Sequence, residues 1–313
     1  MSFIAGFAAA NVDLLYEDMP RLPEPGEEIY TNRFSLQLGG GLAATLINLG
    51  RLGVPARIAT ELGDDMFSDF ARSQFEKNGV QPLNLYHGDK IPVNITSAVI
   101  LPGDRSFISY GKGDARPDDE AKNAFYETAK GAKICLMTPG GFEDVYRKLK
   151  SEGTVTVLDM GWDDELGFDK YGELFEIADY YTPNRKEAEK LTGKSDPRDA
   201  AEALKKYFKN VVVKADKDGC YGIDETGLFF CPAVEEFRHV DSTGAGDAFL
   251  AGFCYGLYHG CPLRDCIEFG NITGGKAVTA VGALSAYVTE DELLAYKAET
   301  GKNELKRRKK SAK

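Results

Sequence analysis

The sequence predicts an α/β fold, a three-layer αβα sandwich around a mostly parallel sheet with a small β lid, and three observations predict it. From about residue 117 onward, short β-branched runs alternate with amphipathic stretches: KICLMT, FEDVYRKLK, TVTVLD, GELFEIA and DYYTP follow one another. Short apolar strands separated by helices pack as a parallel sheet covered on both faces. In the N-terminal third, PVNITSAVILPGDRSFISY reads instead as an antiparallel hairpin turned at Pro102, Gly103 and Asp104, which belongs outside such a sheet. The chain of 313 residues, 43% hydrophobic and 28% charged, is long enough and apolar enough to bury a substantial core.

Taken in order, SFIAGFAAANVDLL reads as a first strand followed by a turn. Helices are expected over 41–52 and 66–78, with the strand ARIATEL between them. EEIYTNRFSLQ joins the hairpin to build the lid, from segments at about 13–37 and 93–111, over the C-terminal ends of the parallel strands. VVVKA continues the parallel sheet, and YGID and GLFFCPA, parted by Glu225 and Thr226, form a hairpin near its edge. CIEFGNITGGKAVTAVG reads as one long helix. No linker divides the chain, so residues 1–313 are expected to form one domain, ending in a solvated basic tail over 302–313.

Charge and cysteine usage exclude several function classes. With 38 basic against 49 acidic residues, the net charge of −11 argues against a nucleic-acid surface. The six cysteines, at 135, 220, 231, 254, 261 and 266, form no CxxC pair, which argues against structural zinc and for small buried hydrophobes. Without a basic leader or an apolar stretch of membrane-spanning length, the sequence reads as a reduced, cytoplasmic enzyme with no membrane partner.

The chemistry concentrates in RHVDSTGAGDAFLAGF. Gly244, Ala245 and Gly246 stand where a loop becomes an apolar helix, and small residues there let an anion approach unpaired backbone N–H groups. Asp247, in the first turn, has two readings: it caps those N–H groups, or it accepts a proton from an attacking hydroxyl. In LGGGLAATLINLGRLG, Gly39, Gly40 and Gly41 make either a tight turn or a backbone surface for a small polar ligand. Asp13 follows the first strand and Asp159 ends TVTVLD. Asn184 and Glu187 open a helix, either as a capping box or as ligands at strand ends. Two decoys fall away: GNITGGK lacks the Ser or Thr of a P-loop and a strand in front, and GAGDAF lacks the third glycine of a dinucleotide fingerprint.

DSTGAGDAFLAGF resembles the C-terminal signature of the ribokinase-like (PfkB) carbohydrate kinases, and the triple-glycine helix resembles their N-terminal signature. The order NVDLL, PEPGEE, LGGG, RLG, ELGDD, GDRSFI, LD, TPNRKEAE, DSTGAGD and NITGGKAVTAVGA extends the likeness from Asn11 to Ala283. The resemblance implies an ATP-dependent and Mg2+-dependent kinase of a small sugar, with Asp247 as the base and the N–H groups of Gly244, Ala245 and Gly246 as an anion hole. It further implies sugar binding at Asp13, Gly39, Gly40 and Arg105. Nucleotide binding falls to Asn184, Lys214, Asp216, Gly219 and Asn271, and magnesium is organised through water by Glu187. Asp241 and Thr243 lie in a region that holds a monovalent cation, K+, in some members. Lid strands of such proteins pair between subunits, which makes a homodimer the expected assembly. Two departures stand out: Ala44 replaces an Asn that contacts the sugar, and Met160, Gly161 and Trp162 replace a Pro-Asn-Arg type run, leaving Trp162 as a stacking surface or core filler. A nucleoside kinase of the same fold, using the aromatics Phe34, Phe107, Tyr110 and Trp162, and a non-catalytic sugar or nucleotide sensor are the competing readings.

Overall fold

The computed structural model describes residues 2–111, 116–161 and 163–299, so Trp162 and the basic tail lie outside the described residues. The chain enters through β1 (Ile4–Phe7) and passes directly into β2 (Asn11–Glu17), where a turn was expected; Asp13 therefore lies inside a strand. β3 (Arg33–Leu38) precedes α1 (Leu42–Arg51), β4 (Ala56–Thr60), α2 (Met66–Lys77) and β5 (Val80–Asn84). The hairpin β6 (Asn94–Leu101) and β7 (Asp104–Tyr110) follows, turned at Pro102 and Gly103. Then come α3 (Asp119–Ala129), β8 (Ile134–Met137), α4 (Glu143–Ser151), β9 (Val155–Leu158), α5 (Phe168–Ile177) and β10 (Tyr180–Tyr181). The last third contains α6 (Arg185–Thr192), α7 (Pro197–Leu204), β11 (Val211–Lys214), β12 (Gly219–Asp224), β13 (Gly227–Pro232), α8 (Ala245–Tyr258) and α9 (Leu263–Ala277).

Among the described residues, six parallel strands run in the order β10-β9-β8-β1-β4-β5. Side chains alternate across a pleated strand, and both faces of this sheet are covered. Ile4, Ile58, Ile134, Leu136 and Val157 accordingly join one apolar cluster with α1, α8 and α9. Their neighbours Ala5, Ala59, Cys135, Met137 and Leu158 join another with α3, α4 and α5. The cysteines among them are free and mostly buried. No helix among the described residues is long and apolar enough to cross a membrane.

Two sheets stand apart from this core. β3-β2-β6-β7 form a four-stranded sheet, with β2 and β6 parallel and the outer pairs antiparallel. VVVKA does not continue the parallel sheet: β11 pairs antiparallel with β12, and β12 with β13, in a separate three-stranded sheet. The reason lies beside β11, where the chain leaving β10 reaches Pro183. Its carbonyl accepts the Lys214 N–H at 2.9 Å, but proline has no N–H to return, so the ladder stops.

α9 also ends sooner than the sequence suggests, at Ala277. The Val278 carbonyl accepts the N–H groups of Val240 at 2.7 Å and Asp241 at 3.2 Å, which pulls the chain out of the helix beside the loop entering α8. The two helices approach closely through glycines. A Cβ on Gly252 would fall 2.3 Å from Thr273 Oγ1 and 2.4 Å from the Phe269 carbonyl oxygen. Gly252→Ala should therefore lower stability by about 1–3 kcal/mol, read as a shifted urea midpoint at constant m-value. An unchanged midpoint would show that α8 and α9 part without cost.

Candidate active site

The crevice forms where the chain leaves the central strands, at the carboxyl ends on either side of β1, the position at which open parallel sheets place polar side chains. Two helices begin there, and neither uses its own side chains to cap itself. α8 starts at Gly244, held at φ 75°, with no side-chain cap, and α1 starts at Gly41, at φ 84°, likewise uncapped. Any Cβ on Gly244 would sit 2.6 Å from Ala283 Cα, so the left-handed turn and the crowding both require glycine.

Asp247 does not cap its own helix. Its Oδ2 accepts the N–H of Gly41 at 2.9 Å, across the crevice at the start of α1, while its backbone carbonyl accepts the Thr45 hydroxyl at 3.1 Å. A Cβ on Gly40 would meet the same Oδ2 at 2.8 Å. The glycine run is thus a close-approach surface for this carboxylate. The Ala245 N–H turns back to the Ser242 carbonyl at 3.2 Å, so it is already engaged at the helix start.

A second surface of the crevice carries charge. The Lys214 ammonium, at the end of β11, would stand 3.5 Å from a Cβ on Gly246 and faces Asp159, Glu187 and Asp247 electrostatically. Asp159 is seated by its N–H on the Met137 carbonyl at 2.9 Å. Asn184 and Glu187 form a complete capping box: Glu187 N–H donates to Asn184 Oδ1 at 3.0 Å and Asn184 N–H to Glu187 Oε2 at 2.9 Å. The Asn184 amide adds a bond to Glu187 Oε1 at 2.6 Å. The cap and the crevice are therefore served by the same two residues.

Burial raises the pKa of all three carboxyls, because a charged form loses hydration there. For Asp247 burial is the main cause, Asp159's negative charge adds to it, and the Gly41 N–H and Lys214 oppose it; the group is pushed up to about 7. Glu187 is raised chiefly by burial against the pull of Lys214, and Asp159 likewise. Nearby, the Tyr181 hydroxyl is buried without a hydrogen-bond partner, and the charges of Glu187 and Asp159 reach it. Three carboxyls and one ammonium, with an orphaned hydroxyl nearby, share this end of the crevice. Among the described residues, no group of three His, Cys, Asp or Glu side chains is close enough to hold a metal ion without a ligand to complete it.

The opposite wall is built from β2. Asn11 Nδ2 donates to Asp13 Oδ1 at 2.6 Å, and a Cβ on Gly39 would lie 2.9 Å from either Asp13 oxygen. Burial holds the Asp13 carboxyl above its usual pKa, with the Asn11 bond opposing. Asn11 was not singled out in the sequence, although it lies two residues before Asp13 on the same strand face, a signal that the turn expected there concealed. Ala44 is wholly buried, so a methyl group stands where an Asn was expected.

Other residues singled out in the sequence hold the edges of the crevice. Asp216, at φ 54°, is ion-paired with Arg185 at 3.0 Å, and Gly219, at φ 129°, has no room for a side chain beside the Cys231 carbonyl. Asn271 on α9 donates to the carbonyls of Cys231 at 3.0 Å and Pro232 at 3.1 Å, tying β13 down. Arg105 of the β6–β7 hairpin bonds Asp241 and Thr243 of the loop entering α8.

The raised carboxyl has a measurable sign. Ionising Asp247 costs the folded state more than the unfolded one, so the penalty is absent below the ordinary aspartate value of 3.8 and grows until pH passes about 7. Asp247→Asn, which keeps an acceptor for Gly41, should raise Tm at pH 8 and leave it nearly unchanged at about pH 4 in thermal scans. A Tm that falls equally at both pH values would show that the carboxylate is a net stabiliser.

The pfkB family carbohydrate kinase model matches residues 1–290. A 5-dehydro-2-deoxygluconokinase of Clostridium perfringens is 25% identical over 278 residues, covering 80% of each chain. A 2-dehydro-3-deoxygluconokinase of Bacillus subtilis is 25% identical over 282 residues, 84% of this chain and 87% of the relative. The structure of Arabidopsis thaliana ribokinase complexed with ribose and ATP superposes with a TM-score of 0.79 at 22% identity, over 95% of this chain and 99% of that one. The parallel sheet, the glycine-lined crevice and the match over residues 1–290 together make this chain a member of the pfkB family of carbohydrate kinases.

Proposed function

We propose that this kinase transfers the γ-phosphoryl group of Mg·ATP to a hydroxyl of a small sugar, with Asp247 as general base. One observation carries the reading: Asp247 spends its carboxylate on Gly41 across the crevice instead of on its own helix, which leaves the α8 N-terminus open to a phosphate. A hydroxyl held between Asp13 and Asp247 gives up its proton to Asp247 as the oxygen attacks in line. Asp13, braced by Asn11, orients the sugar, and Gly39 and Gly40 let it lie against the backbone.

On the nucleotide side, the N–H groups of Gly244 and Gly246 receive developing negative charge, that of Ala245 joining them only on leaving the Ser242 carbonyl, and Lys214 stands at the same helix end. Asn184 and Glu187 organise the magnesium and its waters, while Asp216, Gly219 and Asn271 shape the edge against which the nucleotide lies. When bound, magnesium supplies charge neutralisation of the phosphates.

The first test is ADP release from Mg·ATP across pentoses, hexoses, keto-deoxy acids and nucleosides. Turnover with one sugar supports the reading. Turnover with nucleosides alone would transfer the acceptor site to Phe34, Phe107 and Tyr110, which are exposed on the four-stranded sheet. Silence across the panel with ATP still bound would favour a sensor. With a sugar in hand, Asp247→Asn should keep substrate binding and lose roughly 10²–10⁴ in kcat. A base works ionised, so kcat/KM should fall with unit slope as pH drops below about 7. A flat acid limb down to about pH 5 would refute the raised pKa, and an Asp247→Asn protein with nearly unchanged kcat would refute the base assignment.

A further inference from the structure

The sequence assigned Arg105 to the substrate, and Asp241 with Thr243 to a monovalent cation. The fold puts the three side chains on one another. Arg105 Nη1 donates to Asp241 Oδ1 at 2.8 Å and to Thr243 Oγ1 at 2.7 Å. Asp241 Oδ1 also accepts the Thr243 hydroxyl at 2.9 Å and its backbone N–H at 3.1 Å, while Oδ2 accepts the Gly282 N–H at 3.0 Å. The two side-chain oxygens that would ligate a cation are therefore both held by one guanidinium nitrogen. Like charges repel at this range, so the arrangement does not fit a K+ ion while Arg105 is engaged.

We infer that Arg105 is a positioning residue that acts as a built-in cation: it replaces K+ at Asp241 and latches the β6–β7 hairpin onto the loop that starts α8. The contact lies at the right place in the fold for this role. Thr243 directly precedes Gly244, and Gly282 adjoins Ala283, the residue packed against Gly244. Asp241 thus ties both walls around the helix start, and Arg105 adds the hairpin as a third. A second contact runs alongside, because Ser285 Oγ donates to Gln37 Oε1 of β3 at 3.0 Å. Closure of the four-stranded sheet and the shape of the α8 N-terminus become one event.

The inference rests on the kinase reading for its kinetic arm only. Turnover of the unaltered protein should agree within about twofold in potassium and tetramethylammonium salts of equal ionic strength. Arg105→Ala should lose about tenfold or more in tetramethylammonium and recover much of that in potassium, with Arg105→Lys intermediate without it. A rise above about fivefold with potassium in the unaltered protein would overturn the inference. So would an Arg105→Ala protein whose only change is a raised sugar KM, which would make Arg105 a substrate ligand. The second arm needs no turnover: in the ligand-free protein, amides of residues 104–110 should exchange faster in both Arg105→Ala and Asp241→Asn. Unchanged exchange in a folded Arg105→Ala protein refutes the latch even if no sugar is ever phosphorylated.

Discussion

The contact between the Asp247 carboxylate and the Gly41 N–H is the constraint on which the rest of the crevice depends. It joins the first turn of α8 to the first turn of α1, elements 206 residues apart in sequence. For the carboxylate to reach across, the α1 entry must present bare backbone, which is why a Cβ at Gly40 would collide with it. For α8 to begin beside it, Gly244 must take a left-handed turn against Ala283. A helix end left without a side-chain cap retains the positive end of its dipole, and the crevice holds that potential toward an anion.

The same place concentrates negative charge. Asp159, Glu187 and Asp247 share one ammonium, Lys214, and burial works against all three carboxylates. A protein gains no stability from such a group in the absence of its ligands. On the proposed reading, the charges of bound Mg·ATP would offset this cost. Lys214 reaches this group because β11 stops where Pro183 interrupts its pairing with β10, so an interruption in the sheet positions a functional side chain.

Asp241 plays a comparable part on the loop side. Its two oxygens collect the Thr243 hydroxyl and N–H, the Gly282 N–H and the Arg105 guanidinium. Against the cost of burial, these donors hold its carboxyl below the usual range, so it remains a charged hub at neutral pH. The crevice therefore contains carboxylates of opposite disposition: Asp247 kept near neutrality and able to take a proton, Asp241 kept ionised and structural.

Local patterning in the sequence was enough to determine the α/β class, the hairpin at 94–110, the glycine-started helices and the family. Those features depend on period-two and period-3.6 alternation, on turn residues and on a contiguous motif, all of which are short-range. It could not decide which partner each polar side chain takes. On local pattern alone Asp247 read first as a cap, Asn184 and Glu187 proved to be both a cap and part of the crevice, and Asp13, expected in a turn after the first strand, lies within the second. Neither the detachment of β11 nor the early end of α9 has a local signature, since each follows from a carbonyl or a missing N–H on a distant segment. The pairing of Arg105 with Asp241 joins residues 136 positions apart. Only the packed fold sets that distance, because side-chain hydrogen bonding extends over a few ångströms and sequence spacing carries no information about which distant segments come within it.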